Sequence, residues 1–197
     1  MHFMETELKG AYVIEPVPAI DGRGFFARTF CAREFAERGL ADGLAQCSTS
    51  FNKQRGTLRG LHYQAAPHEE EKLVRVTMGA VFDVMVDLRP DSPTFRRWFG
   101  AVLSAENRRM LYIPKGFAHG FQTLRDNSEV FYQISTYYEP ASVRGIRWDD
   151  PTLAVGWPEA TQAIISERDR ALPLLGDALS ANEGTPDHRP SSERVTA

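Results

Sequence analysis

The sequence predicts a mainly β protein, a double-sheet jelly roll or barrel with short peripheral helices. Three observations lead there. Short apolar or alternating runs recur from residue 11 to residue 138. Gly, Pro, Asp and Asn punctuate them at regular spacing. One run, Ala80–Leu88, alternates with period two: Phe82, Val84, Val86 and Leu88 share one face, and Val81, Asp83, Met85 and Asp87 share the other. A chain of 197 residues with 42% hydrophobic and 25% charged content suits one globular domain.

In chain order, Ala11–Pro16 reads as a strand closed by proline, and Asp21–Gly24 as a turn. Gly24–Phe30 reads as an aromatic strand. Ala32–Gly39 carries helix formers and stops at glycine, so a short helix is expected. Gln46–Phe51 is extended. Leu73–Met78, Ala80–Leu88, Arg97–Leu103, Met110–Ile113, His119–Leu124 and Val130–Tyr138 follow as strands. Their turns fall at Gly79-Ala80, Asp91-Ser-Pro, Ser104–Asn107, Pro114–Gly116 and Asp126–Ser128. Ala163–Ile165 suits one last strand, and Ser166–Ala171 a helical turn. Residues 1–176 form the expected domain. Residues 177–197 read as a polar, flexible tail with too little apolar surface to order itself, and His188 as a solvated tail residue.

Net charge −3 and a pI near 6.0 argue against a general nucleic-acid binder. No apolar run approaches the roughly 20 residues of a membrane span, and the first residues show no signal-peptide core. Cys31 and Cys47 make neither a disulfide framework nor a CxxC pair, which fits a reducing cytoplasm.

The chemistry concentrates in Gly56–Lys72. Arg59 suits a phosphate, His62 can move protons near neutral pH, and Lys72 can steady a developing oxyanion. His62, between Leu61 and Tyr63, equally suits a hydrogen-bonded core histidine. Period two places Tyr132 and Tyr138 on the face of Val130, Ile134 and Thr136, expected to look into the barrel. Tyr132 there either donates a proton or packs with its hydroxyl satisfied. Asp169 matters only if the chain end returns to His62, where a carboxylate would orient the imidazole.

Pro114-x-Gly116-x-x-His119 resembles the second signature of the cupin superfamily, whose barrel is a double-stranded β-helix. His62-x-Gln64, Lys72 and Gly79 match the frame of the first, with Gln64 and Lys72 at two of its ligand positions. An ammonium where a carboxylate would bind a cation repels the ion, so no metal is expected, and His119 is not read as a ligand.

Gly22–Phe26, Gly56–Gln64, Lys72–Arg75, Val81–Val84, Asp91–Thr94, Leu103–Asn107, Ile113–Phe121 and Arg144–Pro151 together resemble the dTDP-4-dehydrorhamnose 3,5-epimerases. The likeness runs from about Lys9 to Asp169. It implies a cupin that needs no cofactor and inverts C3, C5 or both in a 4-keto-6-deoxy sugar linked to a nucleoside diphosphate. It implies His62 as base, Asp169 as its partner, Tyr132 as acid and Lys72 as enolate stabiliser. It assigns substrate contacts to Arg23, Arg28, Cys47, Thr49, Arg59, Gln64, His119, Tyr138 and Arg168, and it implies a homodimer whose site borrows residues from the partner. The chain departs from the family pattern at Arg28, Cys47, Thr49 and Val143, where Glu, Gln, Asn and an acidic residue are usual. Those departures fit either a changed nucleotide, CDP or GDP among them, or neutral replacements around the same ligand. A non-catalytic sugar-nucleotide-binding cupin and a metal cupin are the competing classes.

Overall fold

The computed structural model describes residues 1–183; the remaining tail positions, His188 included, lie outside the described residues. In chain order the strands are β1 (His2–Glu5), β2 (Tyr12–Glu15), β3 (Ala19–Asp21), β4 (Gly24–Phe26), β5 (Gln46–Asn52), β6 (Leu58–Gln64) and β7 (Lys72–Met78). They continue as β8 (Ala80–Asp87), β9 (Trp98–Ser104), β10 (Met110–Ile113), β11 (Phe117–Thr123), β12 (Ser128–Ile134) and β13 (Val143–Gly145). The helices are α1 (Ala32–Ala36), α2 (Glu167–Arg170) and α3 (Leu175–Glu183).

Two antiparallel sheets face each other. One has the order β1-β2-β10-β7-β12-β5, the other β13-β6-β11-β8-β9, and β3 and β4 form a separate hairpin. This is the expected double-sheet jelly roll. Apolar residues from both inner faces meet between the sheets: Val74 and Val76 of β7, Leu111 and Ile113 of β10, Val130 of β12, Val81 and Met85 of β8, Phe121 of β11. A second cluster covers the outer face of the smaller sheet, where Val84, Val86 and Ala118 pack with Ile146, Leu153, Trp157, Leu175 and Ala178. α1 covers the other sheet by inserting Phe35 beside Ile14, Leu73, Met110 and Tyr112. β8 is therefore covered on both faces, which is why its two alternating sets are both non-polar or hydrogen-bonded.

Several expectations need correction. Leu58–Gln64, read only for its chemistry, is a central strand. β4 ends at Phe26 and α1 at Ala36, short of Phe30 and Gly39. β12 ends at Ile134, because Ser135 and Thr136 bond to the 69–71 loop and turn the chain away; Tyr138 is not on the strand of Tyr132. Ile164 makes a single parallel bridge to Thr57 and no strand. The first residues of the expected tail are helical: α3 starts at Leu175, whose N–H donates to Asp150 at 2.7 Å, and Ala178 is buried with it. That helix buries enough apolar surface against the outer face to order itself.

Candidate active site

A cavity of ≈ 320 Å³ opens between the two sheets. His62, Arg59 and Gln64 of β6 and His119 of β11 line one wall, and Lys72 of β7 and Tyr132 of β12 line the opposite one. Tyr138, Val143 and Arg168 also line it.

β6 and β11, neighbours in one wall, approach closely. Gly60 sits at φ +109, and a Cβ there would lie 2.7 Å from both Gly120 Cα and the His119 carbonyl oxygen. Only glycine fits that backbone at that spacing. The ladder shifts register between His119 and Phe121, and His62 and His119 end up as cross-strand partners.

His62 gains a carboxylate from far along the chain. Its Nε2 lies 2.8 Å from Asp169 Oδ1, across 107 residues. Ser166 caps α2 by accepting from the Asp169 N–H at 3.1 Å, and the Gly60 N–H donates to Asp169 Oδ2 at 3.3 Å. Burial alone would raise the Asp169 carboxyl. The hydrogen bond and charge of His62, with the Gly60 N–H and Arg168, outweigh it and hold the carboxyl below its usual range. An ionised Asp169 accepts only, so Nε2 carries its proton and Nδ1 is left with a free lone pair.

Tyr132 faces this dyad from the other sheet. Burial, then the nearby Asp83 charge, push its phenol well above the ordinary value, against an opposing effect of Arg59. Such a phenol stays protonated at neutral pH and can only give a proton. Lys72 is nearly buried and pairs with Glu70 at 2.9 Å. Arg59 Nε is held by Asn52 Oδ1 at 2.7 Å. Among the charged side chains that line the cavity, Arg59, Lys72 and Arg168 outnumber Glu70, and guanidinium and ammonium groups suit a diphosphate.

Gln64 does more than line the wall. Its amide donates to the carbonyls of His68 at 2.9 Å and Tyr137 at 3.2 Å, and its Oε1 accepts from Glu139 N–H at 2.6 Å. It thereby pins the loop that brings Tyr138 to the cavity mouth, helped by Gln46 Oε1, which accepts from Tyr138 N–H at 3.0 Å.

The other four candidates lie away from this cavity within one chain. Arg23 pairs with Asp21 on the exposed β3–β4 hairpin, and Arg28 with Glu34. Cys47 and Thr49 are exposed on the far face of β5, since strand alternation turns Gln46 and Ser48 to the cavity instead. Gln46, Ser48 and Glu70 went unread in the sequence, and Asp83 was read only for its strand face and its family block. Alternation on Gln46–Phe51 carried the signal for the first two; Glu70 had none beyond its charge, and the signal for Asp83 was a charge on an otherwise apolar alternating face. Among the described residues, no group of three His, Cys, Asp or Glu side chains is placed to hold a metal ion, and no helix is long and apolar enough to cross a membrane.

Known proteins are similar to this chain in sequence and in fold. The family model described as dTDP-4-dehydrorhamnose 3,5-epimerase matches residues 5–177. The chain is 41% identical over 180 residues to the dTDP-4-dehydrorhamnose 3,5-epimerase of Escherichia coli (strain K12), covering 91% of this chain and 97% of that protein. A solved structure of dTDP-6-deoxy-D-glucose-3,5-epimerase from Legionella pneumophila Philadelphia 1, in complex with dTDP-4-keto-L-rhamnose, is similar at TM-score 0.86 and 41% identity, covering 95% of this chain and 98% of that one. A 3′-monoepimerase from Streptomyces bikiniensis in complex with dTDP-quinovose is similar at TM-score 0.83 and 33% identity, covering 89% of each chain. Matched over most of its length in sequence and in fold, the chain belongs to the dTDP-4-dehydrorhamnose 3,5-epimerase family of isomerases.

Proposed function

We propose that this chain epimerises a nucleoside-diphosphate 4-keto-6-deoxy sugar at C3, C5 or both by proton transfer through an enolate. The observation that carries the reading is the placement of a His–Asp dyad and a protonated tyrosine on opposite walls of one cationic cavity. Hydrogens beside the 4-keto group are acidic because the enolate puts its charge on the carbonyl oxygen. His62 Nδ1 removes one, and Asp169 steadies the imidazolium through Nε2. Lys72 stabilises the oxyanion as it develops, and Arg59 binds phosphate. Tyr132 returns a proton from the other face, and the carbon inverts. The reaction needs no redox cofactor.

The dTDP-sugar ligands of the relatives support dTDP as the nucleotide. The family includes a 3′-monoepimerase, so the carbons inverted follow from sugar placement, at sub-ångström scale, and not from membership. The β3–β4 hairpin exposes Ile20 and Phe26, 78% each, beside Arg23. An apolar tip of that kind suits a second copy, and we infer a homodimer that carries Arg23 to the partner's cavity. Two free cysteines suit a cytoplasmic location.

The test is incubation with dTDP-4-keto-6-deoxyglucose in deuterium oxide. Deuterium at C3 or C5 with formation of the inverted sugar is expected. No exchange, with nucleotide binding intact, would leave a non-catalytic binding protein. Affinities for dTDP, CDP and GDP decide the nucleotide, and a monomer in solution would remove the dimer.

A further inference from the structure

Asp83 is a fully buried acidic side chain near the cavity that the proposed reaction does not use. It lies on β8, fully buried, and its Oδ1 is 2.8 Å from His119 Nε2 on the neighbouring β11. Its second oxygen, Oδ2, is buried without a hydrogen-bond partner. Leaving a carboxylate oxygen so is costly unless the surroundings use the charge. His119 is 4% exposed, and its ring meets the Tyr132 ring edge-on, with centroids 5.9 Å apart at 78°. The three side chains thus form a line from one sheet to the other, β8 to β11 to β12. Tyr132 is the proton donor of the proposed reaction, and nothing else in that line is ionised and acidic.

We propose that Asp83 is a positioning residue for the proton-return step: it fixes the His119 ring through Nε2, and the ring braces Tyr132 edge-on. The inference rests on the epimerase reading above. In the step it serves, the Tyr132 O–H bond breaks as the new C–H bond forms, leaving a phenolate. His62 keeps the proton taken from the other face, and both groups return to their starting state by exchange with water. The design parallels the other dyad. Asp169 serves the group that removes the proton, and Asp83 the group that returns one. The two histidines they hold are cross-strand partners.

Asp83→Leu keeps the shape and removes the acceptor for Nε2–H, and Asp83→Asn keeps that acceptor as the conservative variant. Deuterium exchange and inversion are measured together on dTDP-4-keto-6-deoxyglucose, with dTDP affinity and the melting temperature as controls. His62 exchanges the carbon-bound hydrogen from one face without Tyr132, so a fault confined to Tyr132 separates the two rates. The expected result for Asp83→Leu is inversion slowed by about tenfold or more, exchange slowed far less, and dTDP affinity unchanged, with Asp83→Asn close to the unaltered protein. Equal loss of both rates in Asp83→Leu, or no loss there, would overturn the proposal. The ¹⁵N spectrum of His119 in the unaltered protein gives a second reading that holds even if the variant does not fold. A proton on Nε2 is required, and a neutral ring protonated on Nδ1 alone would also overturn it. If the unaltered protein neither exchanges nor inverts, the epimerase reading fails, and with it the role given to Tyr132; the spectrum then separately decides whether Asp83 holds His119.

Discussion

His62 and His119 stand directly opposite each other on β6 and β11, and each presents Nε2 to a carboxylate 2.8 Å away. The two dyads differ in exposure. The His62 side chain is 37% exposed toward the cavity mouth, while His119 and Asp83 are sealed inside the barrel. Exposure suits the group that must exchange protons with water, and burial suits the one that holds a neighbour in place.

His62→Ala should reduce kcat by about 10²–10⁴, the usual range for loss of a general base. Asp169→Asn should reduce it less, because the amide oxygen still accepts from Nε2–H but no longer steadies the imidazolium. Steady-state kinetics with dTDP-4-keto-6-deoxyglucose check both. A KM that rises while kcat holds would assign His62 to binding.

Tyr132→Phe should stop inversion while solvent deuterium still enters the substrate. Mass spectrometry of recovered sugar reads the exchange, and chromatography reads the epimer. Loss of exchange to the same degree would place Tyr132 in binding or packing.

Gly60→Ala should destabilise the fold by on the order of 2–4 kcal/mol, since the new methyl meets Gly120 and the His119 carbonyl in a backbone conformation that disfavours side chains. Melting temperature should fall by several degrees, roughly 2–4 °C per kcal/mol at this size. Activity should fall with it, because the cross-strand histidines lose their register.

Acid should destabilise the protein through Asp87 and Asp169. Asp87 is buried, which alone would raise its carboxyl, but bonds from Arg89, Ser92, Thr94 and the Arg89 N–H hold it below the usual range. Depressed carboxyls contribute stability that is complete above the unfolded value, about 4, and is lost as pH falls through the folded value. Chemical denaturation between pH 7 and pH 2 should show this loss. Asp87→Asn should be less stable at pH 7 and flatter over the acid range.

Much of the fold was legible because strand signals are local. Alternation in Ala80–Leu88 and the turn residues between runs marked most of the strands within a few residues. The strand at Leu58–Gln64 was hidden, because Arg59, Gly60 and His62 break the apolar pattern that a strand normally shows. The helix at Leu175–Glu183 was hidden by its polar face, which reads like a tail until Leu175 and Ala178 find the outer face of the sheet.

The sequence by itself determined the residue types on each strand: an imidazole, an ammonium, a guanidinium and a phenol, at spacings that mark the family. Only the tertiary structure decided which of them share a cavity. It brought Asp169 to His62 and Asp83 to His119, kept Arg23 and Arg28 on the outside of the chain, and turned Ser48 inward in place of Cys47. The reason is physical. Periodicity says which face a side chain takes, but the partner on that face is set by how sheets stack and where a distant segment closes over them.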